Sequence, residues 1–448
     1  MNPELLNVEV IRLENKLYDI AGIGLGPFNL GMAALLEPVN DIEAVFLDEK
    51  DEFAWHPGML LEGTVLNSSF LADLVTFADP TSRFTLLNYL HKHNRMFQFF
   101  FNKQLKVPRR EYDSYGKWVA AQLPYCLFGQ RVLEVADSSW EGASCYRITT
   151  ENTGSGEKEY FYTKNVAVGT GAAPMLPPNI ERQQSDDIYH AADYSFRKEE
   201  LKSGDEVTVV GSGQSAAEIF HDLLQDQKHF HYKLNWFTRS PQFFQAEDAK
   251  VAREIFSTDF VEYFRSLDIK TRLETLPELD HARKGIEQPT LEKIYDLLYH
   301  RSIEREDPNV VLQAATELSD IQSVEGGYQL KLRQWQEDKT FRCFSDKVVL
   351  ATGFQPSVPE WIQEYGELVE KEDADHYMID DYYRLQFKDG RDNHIYMLTN
   401  IDHSHGTAAT NLSLSVVRNQ TIINNLCGFE RYPVQKDTVF QRFSAKEE

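Results

Sequence analysis

The chain has 448 residues, 42% of them hydrophobic and 26% charged, with a formal net charge of −24. A chain of that size buries a large core without disulfide staples. Its negative charge speaks against nucleic acid or an anionic membrane as a partner.

The four cysteines, Cys126, Cys145, Cys343 and Cys427, are scattered without a CxxC pair, as expected of free thiols in a reducing compartment. The first residues, MNPELLNVEVIRLENK, lack a signal-peptide core, and no apolar run reaches the ~18 residues of a membrane span. A cytoplasmic protein is expected.

In chain order, the first recognisable unit is YDIAGIGLGPFNLGMAALLEP at 18–38. It reads as strand, glycine turn, helix. EAVFLD (43–48) is a strand ending in acids, 85–99 reads as one helix, and NVAVGTG (165–171) is a strand closing on glycines. The strand–turn–helix order returns in DEVTVVGSGQSAAEIFHDLLQD at 205–226, followed by a strand in LNWFTRS (234–240). Helices are expected over 246–266 and 290–306, and a last strand in DKVVLATGF (346–354). No repeat or low-complexity tract interrupts this alternation, which argues an α/β chain with mostly parallel sheets.

The two glycine turns carry the chemistry. Gly22, Gly24 and Gly26 permit a tight turn and close approach of backbone to a pyrophosphate, with Pro27 opening a helix whose N–H groups face the anion. Asn29 stands where the dinucleotide fingerprint has its last glycine. Asp48 or Glu49, at the end of the next strand, is placed to accept from an adenosine ribose. The second turn, Gly211-Ser212-Gly213-Gln214-Ser215, has the same logic. Its next strand ends in Arg239, suited to a 2′-phosphate, so NADPH is read in preference to NADH. Two dinucleotide sites imply one bound flavin, FAD, and one hydride donor. Thr352 and Gly353, like the glycines of 169–171, suit backbone passing close to a cofactor. No Ser-His-Asp set or metal cluster is evident, so no catalytic residue is named. The pairs His91/His93 and His403/His405 have a spacing that does not share a helix face.

Seven stretches occur in one order: GIGLGPFNL, FAWHPGML (53–60), FLADLVTFADPTSRFTLLNYL (70–90), GSGQSAAE, EIFSTDFVEYF (254–264), IYDLLYHR (294–301) and ATGF. Together they resemble the flavin-dependent N-hydroxylating monooxygenases of siderophore biosynthesis, the lysine/ornithine N-hydroxylases. The likeness runs from about residue 18 to 425. It implies two Rossmann-like dinucleotide-binding domains, for FAD and NADPH, with a small helical substrate region. The boundaries expected are 1–195 for the first part of the FAD domain, 196–344 for the NADPH domain with a helical insertion at 246–306, and 345–448 for the second part of the FAD domain. It also implies hydroxylation of an amine by O2 through a C4a-hydroperoxyflavin, and a homo-oligomer, tetramer or dimer. By resemblance Trp55, His56, Pro57 and Met59 lie against the flavin, and Gln214 and Ser215 hold NADP+. His405, Gly406, Asn411, Leu412 and Ser413 form a C-terminal loop facing flavin and substrate. Thr407-Ala408-Ala409-Thr410 departs there from the family's acid followed by proline.

The substrate reading rests on Phe70-Leu71-Ala72-Asp73. Amino-acid-using members usually carry FLKDLV, whose lysine grips the substrate carboxylate, and here that place is Ala72. A family asparagine upstream of Ile294-Tyr295 is also missing from Ala282-Arg283-Lys284-Gly285. Leaving a buried carboxylate unpaired costs about 3–5 kcal/mol. A primary amine without an α-carboxylate is therefore expected: histamine, or a diamine such as putrescine or cadaverine. A diamine would want an acid such as Asp73 or Asp79, and histamine would want aromatic walls from Phe70, Phe77 and Phe84. If Arg283 or Lys284 supplies the cation, lysine or ornithine is the substrate instead. Another two-dinucleotide flavin monooxygenase is the remaining enzymatic alternative, and a disulfide reductase lacks its cysteine pair. A flavin-binding redox sensor is the non-enzymatic one.

Overall fold

The computed structural model describes residues 16–177, 180, 185–280, 283–303 and 309–445. Ala282 lies outside them. Two sheets, the first mixed and the second all parallel, each covered on both faces, organise the chain.

The first sheet uses Leu17–Ile23 (β1), Ala44–Leu47 (β2), Cys126–Leu127 (β3), Gln130–Trp140 (β4), Ala143–Asn152 (β5) and Lys158–Val168 (β6), in the order β3-β2-β1-β6-β5-β4. β1 runs parallel to β2 and β6, with Gly22 opposite Phe46 on one side and Ala167 on the other. β4, β5 and the start of β6 form an antiparallel meander. The second sheet is all parallel: Ile188–His190 (β7), Glu206–Val210 (β8), Lys233–Phe237 (β9), Val310–Gln313 (β10) and Lys347–Leu350 (β11), in the order β7-β11-β8-β9-β10. It too carries a three-stranded meander, Thr316–Val324, Gly327–Gln334 and Lys339–Ser345. The chain then returns to the first sheet, where Ile395–Met397 (β12) pairs parallel with β6.

The expected boundaries at 195/196 and 344/345 both cut through the second sheet, because β7 precedes the first and β11 follows the second. The register of Val207 opposite Lys347 ties β11 to β8. The crossings lie instead where residues 172–174 pair antiparallel with 354–356.

The helices follow from their buried faces. Pro27–Leu36 (α1) starts on proline and buries nine residues, being held between the sheet and the last helix. Leu86–Lys92 (α2) and Met96–Asn102 (α3) replace the single helix expected over 85–99. Asn94 between them takes a φ of 56° that a helix cannot continue. Arg109–Ala120 (α4) packs against α1, and Gln214–Phe230 (α5) opens directly on the second glycine turn. In place of one helix over 246–266, Ser257 caps a new helix by accepting from the Phe260 N–H. That helix is Thr258–Ser266 (α6), followed by Ile269–Leu279 (α7) and Gln288–Ser302 (α8). Leu412–Cys427 (α9) lies along α1, with the Asn419 amide donating to the Phe28 carbonyl at 2.9 Å.

Candidate functional site

The two glycine turns are built alike. A Cβ on Gly24 would stand 2.6 Å from the Gly169 carbonyl oxygen, and one on Gly211 would stand 2.3 Å from that of Ala351. Each turn is thus pressed against the glycine-rich end of a neighbouring strand, residues 169–171 in one sheet and 351–353 in the other. The φ of +82° at Gly24 adds a backbone reason for glycine. In contrast, a Cβ on Gly26 or Gly213 would meet nothing within 4 Å. These residues precede α1 and α5, and neither helix has a side-chain cap. Free N–H groups and an open approach at a helix N-terminus are what a pyrophosphate requires. Gly22 has a packing role: its Cβ would collide with Phe46 at 2.2 Å.

Side chains expected at the cofactors divide into open and engaged. Arg239 is exposed just after β9 and has no ion pair among the described residues. Glu49 is exposed and meets Arg131 at 3.1 Å. Asp48 spends its carboxylate on the turn itself, accepting from the N–H of Leu25 at 2.6 Å and of Lys50 at 2.9 Å. Asn29 turns inward and is fully buried. Its amide donates to Gly24 O at 2.8 Å and Ile23 O at 3.2 Å, and reaches Ala167 O at 3.4 Å. It thereby ties the turn to β6 in place of a close-packed glycine, and does not face a cofactor. Gln214 is likewise committed, donating to Glu218 and Thr290 and accepting from the Glu287 N–H at 2.8 Å. Only its backbone and Ser215 remain at the α5 terminus.

Between the turns, residues 55–59 meet the second unit. His56 takes a φ of 47°, and its ring is partly enclosed by Trp55 and Phe354 while staying open to solvent. That enclosure, then the charges of Arg109 and Lys50, pulls its pKa down to about 4. Trp55 lies edge-on to Tyr112 at 5.1 Å, and its backbone N–H donates to Asp113 Oδ1 at 2.8 Å. Phe354 stands between His56 and His190, at 5.8 and 5.0 Å. The Ala192 N–H donates to His190 Nδ1, so Nε2 carries the proton and donates to Gly353 O at 3.0 Å. Thr352 donates to Met175 O at 2.5 Å. A Cβ on Gly58 would fall 1.6 Å from Ala192 O, so residues 55–59 are wedged against the second unit. Met59, expected against the flavin, goes through that wedge into the second unit's core with Leu61 and Tyr189.

The C-terminal loop is also tied down. His405 is buried and stacks on Tyr383 at 4.3 Å. Arg265 donates to its Nε2 at 2.9 Å, leaving Nδ1–H to donate to Ser404 Oγ at 2.8 Å. Burial, reinforced by Arg265 and Arg418, holds its pKa well below the usual histidine value. Gly406, with φ at +77°, fits where a Cβ would press on Phe260 and Phe264. Asn411 caps α9, its Oδ1 accepting from both the N–H and the hydroxyl of Ser413. Leu412 packs against the first core. Their backbones line the loop, while the polar side chains expected to face ligand are consumed by the cap.

In the 70–82 stretch, Ala72 is buried and turns back to Ser69. Phe70 packs edge-on to Phe99 at 5.7 Å. Asp73, considered as a substrate acid, is a buried structural hub. It accepts from the N–H of Val75, Thr76 and Leu86 and from the Thr76 hydroxyl, at 2.7–2.9 Å. Burial pushes its carboxyl upward in pKa while these four donors act against that. Asp79 folds onto Thr81, Phe84 is buried and Phe77 is exposed. Arg283 is held by Asp402 at 2.7 Å and by Asp280 at 3.5 Å, and Lys284 pairs with Asp280.

Three features escaped the sequence reading. Arg109 makes a twofold hydrogen bond to Glu218, joining α4 to α5. Phe354 and His190 pack ring to ring beside Gly353. Arg418 is buried, stacks on Phe28 at 4.4 Å, and donates to Ala409 O at 2.8 Å. Its visible signal is a cation inside the buried stripe Ser415, Val416, Asn419, Ile422 of α9. A groove of about 730 Å³ lined by Ile362, Gly366, Val369, Tyr377 and Lys388 contains no residue of either turn. Among the described residues no group of three or more His, Cys, Asp or Glu is arranged to hold a metal, and no helix is long and apolar enough to cross a membrane.

The family described as L-lysine 6-monooxygenase/L-ornithine 5-monooxygenase matches residues 16–356, well over half of the chain. The chain belongs to this lysine/ornithine monooxygenase family. Within and around the family, it is 38% identical over 434 residues to a putrescine N-hydroxylase of Shewanella oneidensis, covering 96% of this chain and 85% of that protein. It is 35% identical over 433 residues to the rhizobactin siderophore biosynthesis protein RhbE of Rhizobium meliloti, covering 95% of each. Among solved structures it resembles FAD-bound DfoA, the desferrioxamine-pathway cadaverine monooxygenase of Erwinia amylovora. The TM-score is 0.91 at 35% identity, over 97% of this chain and 100% of that one. This monooxygenase family's two-unit α/β architecture is thus the fold of the chain.

Proposed function

We propose that this enzyme uses NADPH, O2 and FAD to N-hydroxylate one amine of a short aliphatic diamine, putrescine or cadaverine, in siderophore biosynthesis in the cytoplasm. The observation that carries the substrate is Ala72. It is buried and uncharged, and the two nearby candidates for a substitute cation, Arg283 and Lys284, are each held by acids. Neither is left free to grip an α-carboxylate. The relatives named for putrescine and cadaverine point the same way, and they favour a diamine over histamine. Phe84, buried, and Phe77, exposed, do not make the flat aromatic walls that an imidazole would want.

In this reading the Gly24–Gly26 turn and the α1 terminus hold the FAD pyrophosphate, with Glu49 and the remaining face of Asp48 toward the ribose. The Gly211–Gly213 turn, Ser215 and the α5 terminus hold NADPH, with Arg239 on its 2′-phosphate. A flavin bound there supplies the two-electron chemistry that activates O2. The protein's task is then to keep the reacting amine neutral, against an ordinary pKa near ~10.4. An apolar Ala72 wall and histidines held neutral at 56, 190 and 405 add no positive charge, and desolvation lowers the amine's own pKa. The polar side chains of the loop at 405–413 are locked to each other, which keeps the loop rigid.

The test measures NADPH-dependent hydroxylamine formation with putrescine, cadaverine, histamine, lysine and ornithine. The diamines are expected to exceed lysine and ornithine by at least about a hundredfold in kcat/KM, the lower end for a lost buried ion pair. A higher kcat/KM for lysine or ornithine would overturn the reading.

A further inference from the structure

Between β9 and α8 the second unit sends out an arm spanning 246–285. It leaves and returns through one neck, where the Ala246 N–H donates to Ile286 O and the Ile286 N–H to Phe244 O, each at 3.0 Å. A Cβ on Gly285 would fall 2.6 Å from the Ala246 nitrogen, so the neck is closed tightly. The arm's helices reach the first unit. From α6, Arg265 donates to His405 and pairs with Asp381. From α7, Arg272 donates to His403 O at 3.1 Å and pairs with Glu372.

The chain beyond α9 meets the same arm. Its root is fixed on the first unit. Tyr432 is buried, its hydroxyl donating to Leu35 O of α1 at 2.6 Å, and the Gln420 amide of α9 donates to Pro433 O at 3.1 Å. Residues 435–443 then cross to the arm without forming helix or strand. Such a stretch must place its backbone N–H groups elsewhere, and two carboxylates of the arm receive them. Asp259 accepts from the N–H and the hydroxyl of Thr438, at 3.1 and 2.6 Å. Glu254 accepts from the N–H of Phe440 at 3.2 Å and of Gln441 at 2.9 Å. The Gln441 amide donates to Val251 O, and the Thr258 hydroxyl to Gln435 O at 3.3 Å. At the tip, Phe443 meets Phe260 edge-on at 5.1 Å and stacks on Tyr263 at 6.0 Å. Phe260 is also the ring that, with Phe264, stands 3.3 Å from where a Cβ of Gly406 would be.

We propose that residues 435–443 are a strap that holds the arm on the first unit, and that Phe443, acting through Phe260, is a positioning residue for the loop at 405–410. The positioning role rests on the function proposed above, in which that loop borders the reacting amine. With the loop held, amine, O2, NADPH and a proton give hydroxylamine, water and NADP+. With the arm loosened, Gly406 loses its backing and water enters. O2, NADPH and a proton then give hydrogen peroxide and NADP+.

The test compares the full-length chain with Phe443→Ala, with Phe443→Tyr, which keeps a ring for Phe260 and Tyr263, and with Phe440→Ala, whose side chain is 99% exposed. In Phe443→Ala, amide hydrogen exchange over 258–266 should quicken at least about tenfold while that of β1 and β8 holds. Hydroxylamine formed per NADPH with putrescine should fall at least about threefold, with hydrogen peroxide making up the difference and the KM for NADPH unchanged. Glu254→Ala with Asp259→Ala, which releases the strap from the arm's side, should do the same. Phe443→Tyr and Phe440→Ala should match the native chain. Unchanged exchange in Phe443→Ala overturns the strap. Faster exchange with an unchanged product ratio overturns the positioning role, and so does an equal effect of Phe440→Ala. A native chain that makes no hydroxylamine from any amine overturns the proposed function and the positioning role with it, while the exchange still decides whether the strap holds the arm.

Discussion

The Arg109 guanidinium holds the Glu218 carboxylate with two hydrogen bonds, 2.7 and 2.9 Å, from α4 of one unit to α5 of the other. Both side chains are largely buried. Burial pushes the Glu218 carboxyl up while Arg109 pulls it down. Removing one partner strands the other charge. Arg109→Ala is expected to lower unfolding stability by about 3 kcal/mol, measured by urea denaturation, and a loss below about 1 kcal/mol would class the pair with weak surface bridges.

Ala72→Lys places a cation where the proposed substrate has none to meet. Hydroxylation of putrescine or cadaverine should fall about tenfold or more in kcat/KM, each tenfold corresponding to ~1.4 kcal/mol. Activity with lysine or ornithine should rise relative to the diamines. An unchanged ratio between the two substrate classes would remove Ala72 from the substrate site.

Asp73→Asn weakens four hydrogen bonds made by one buried carboxylate. A stability loss of about 2 kcal/mol is expected, read as a shift in the urea midpoint. At 25 °C the KM for the diamine should stay within about twofold. A large rise in KM without destabilisation would return Asp73 to the substrate.

Arg239→Ala is expected to raise the KM for NADPH by at least about tenfold, in line with ~1.5–3 kcal/mol for a hydrogen bond to a charged group, and to leave NADH nearly unaffected. Equal losses with both cofactors would argue against a 2′-phosphate contact.

Six histidines, at 56, 190, 221, 394, 403 and 405, have pKa values lowered first by burial. Each binds a proton more readily in the unfolded chain, so their contribution to stability is complete above pH 6.5, the ordinary histidine value. It is lost as pH falls below that value toward the lowered ones. Urea midpoints should therefore drop from pH 7 toward pH 5, and His405→Gln should flatten that drop. A midpoint independent of pH across this window would contradict the neutral assignment.

What the sequence made legible was local. A glycine turn, its strand and its helix lie within some twenty residues, and all their determinants are adjacent. β1, α1, β8 and α5 therefore formed where the pattern placed them. Asn29 looked like an imperfect fingerprint because its partner Ala167 is 138 residues away. Asp73 shows one half of its role in nearby Thr76, but the other half, Leu86, belongs to the next helix. The strand 347–350 was recognisable as a strand, yet its alternation does not say which sheet receives it. Arg109 and Glu218, 109 residues apart, carry no shared local signal.

The two crossings between the units run side by side, residues 172–174 against 354–356. A pair of adjacent strands acts as a hinge pin: it leaves one rotation and suppresses the rest. The Arg109–Glu218 clasp, the Lys106–Glu287 contact and the Gly58 wedge all lie off that pin, and each opposes the rotation it leaves. A reaction that must pass a reactive oxygen to an amine within a few ångströms needs such a joint to be stiff. In the proposed reading, the distance between the two nucleotide sites is set by these contacts at the joint.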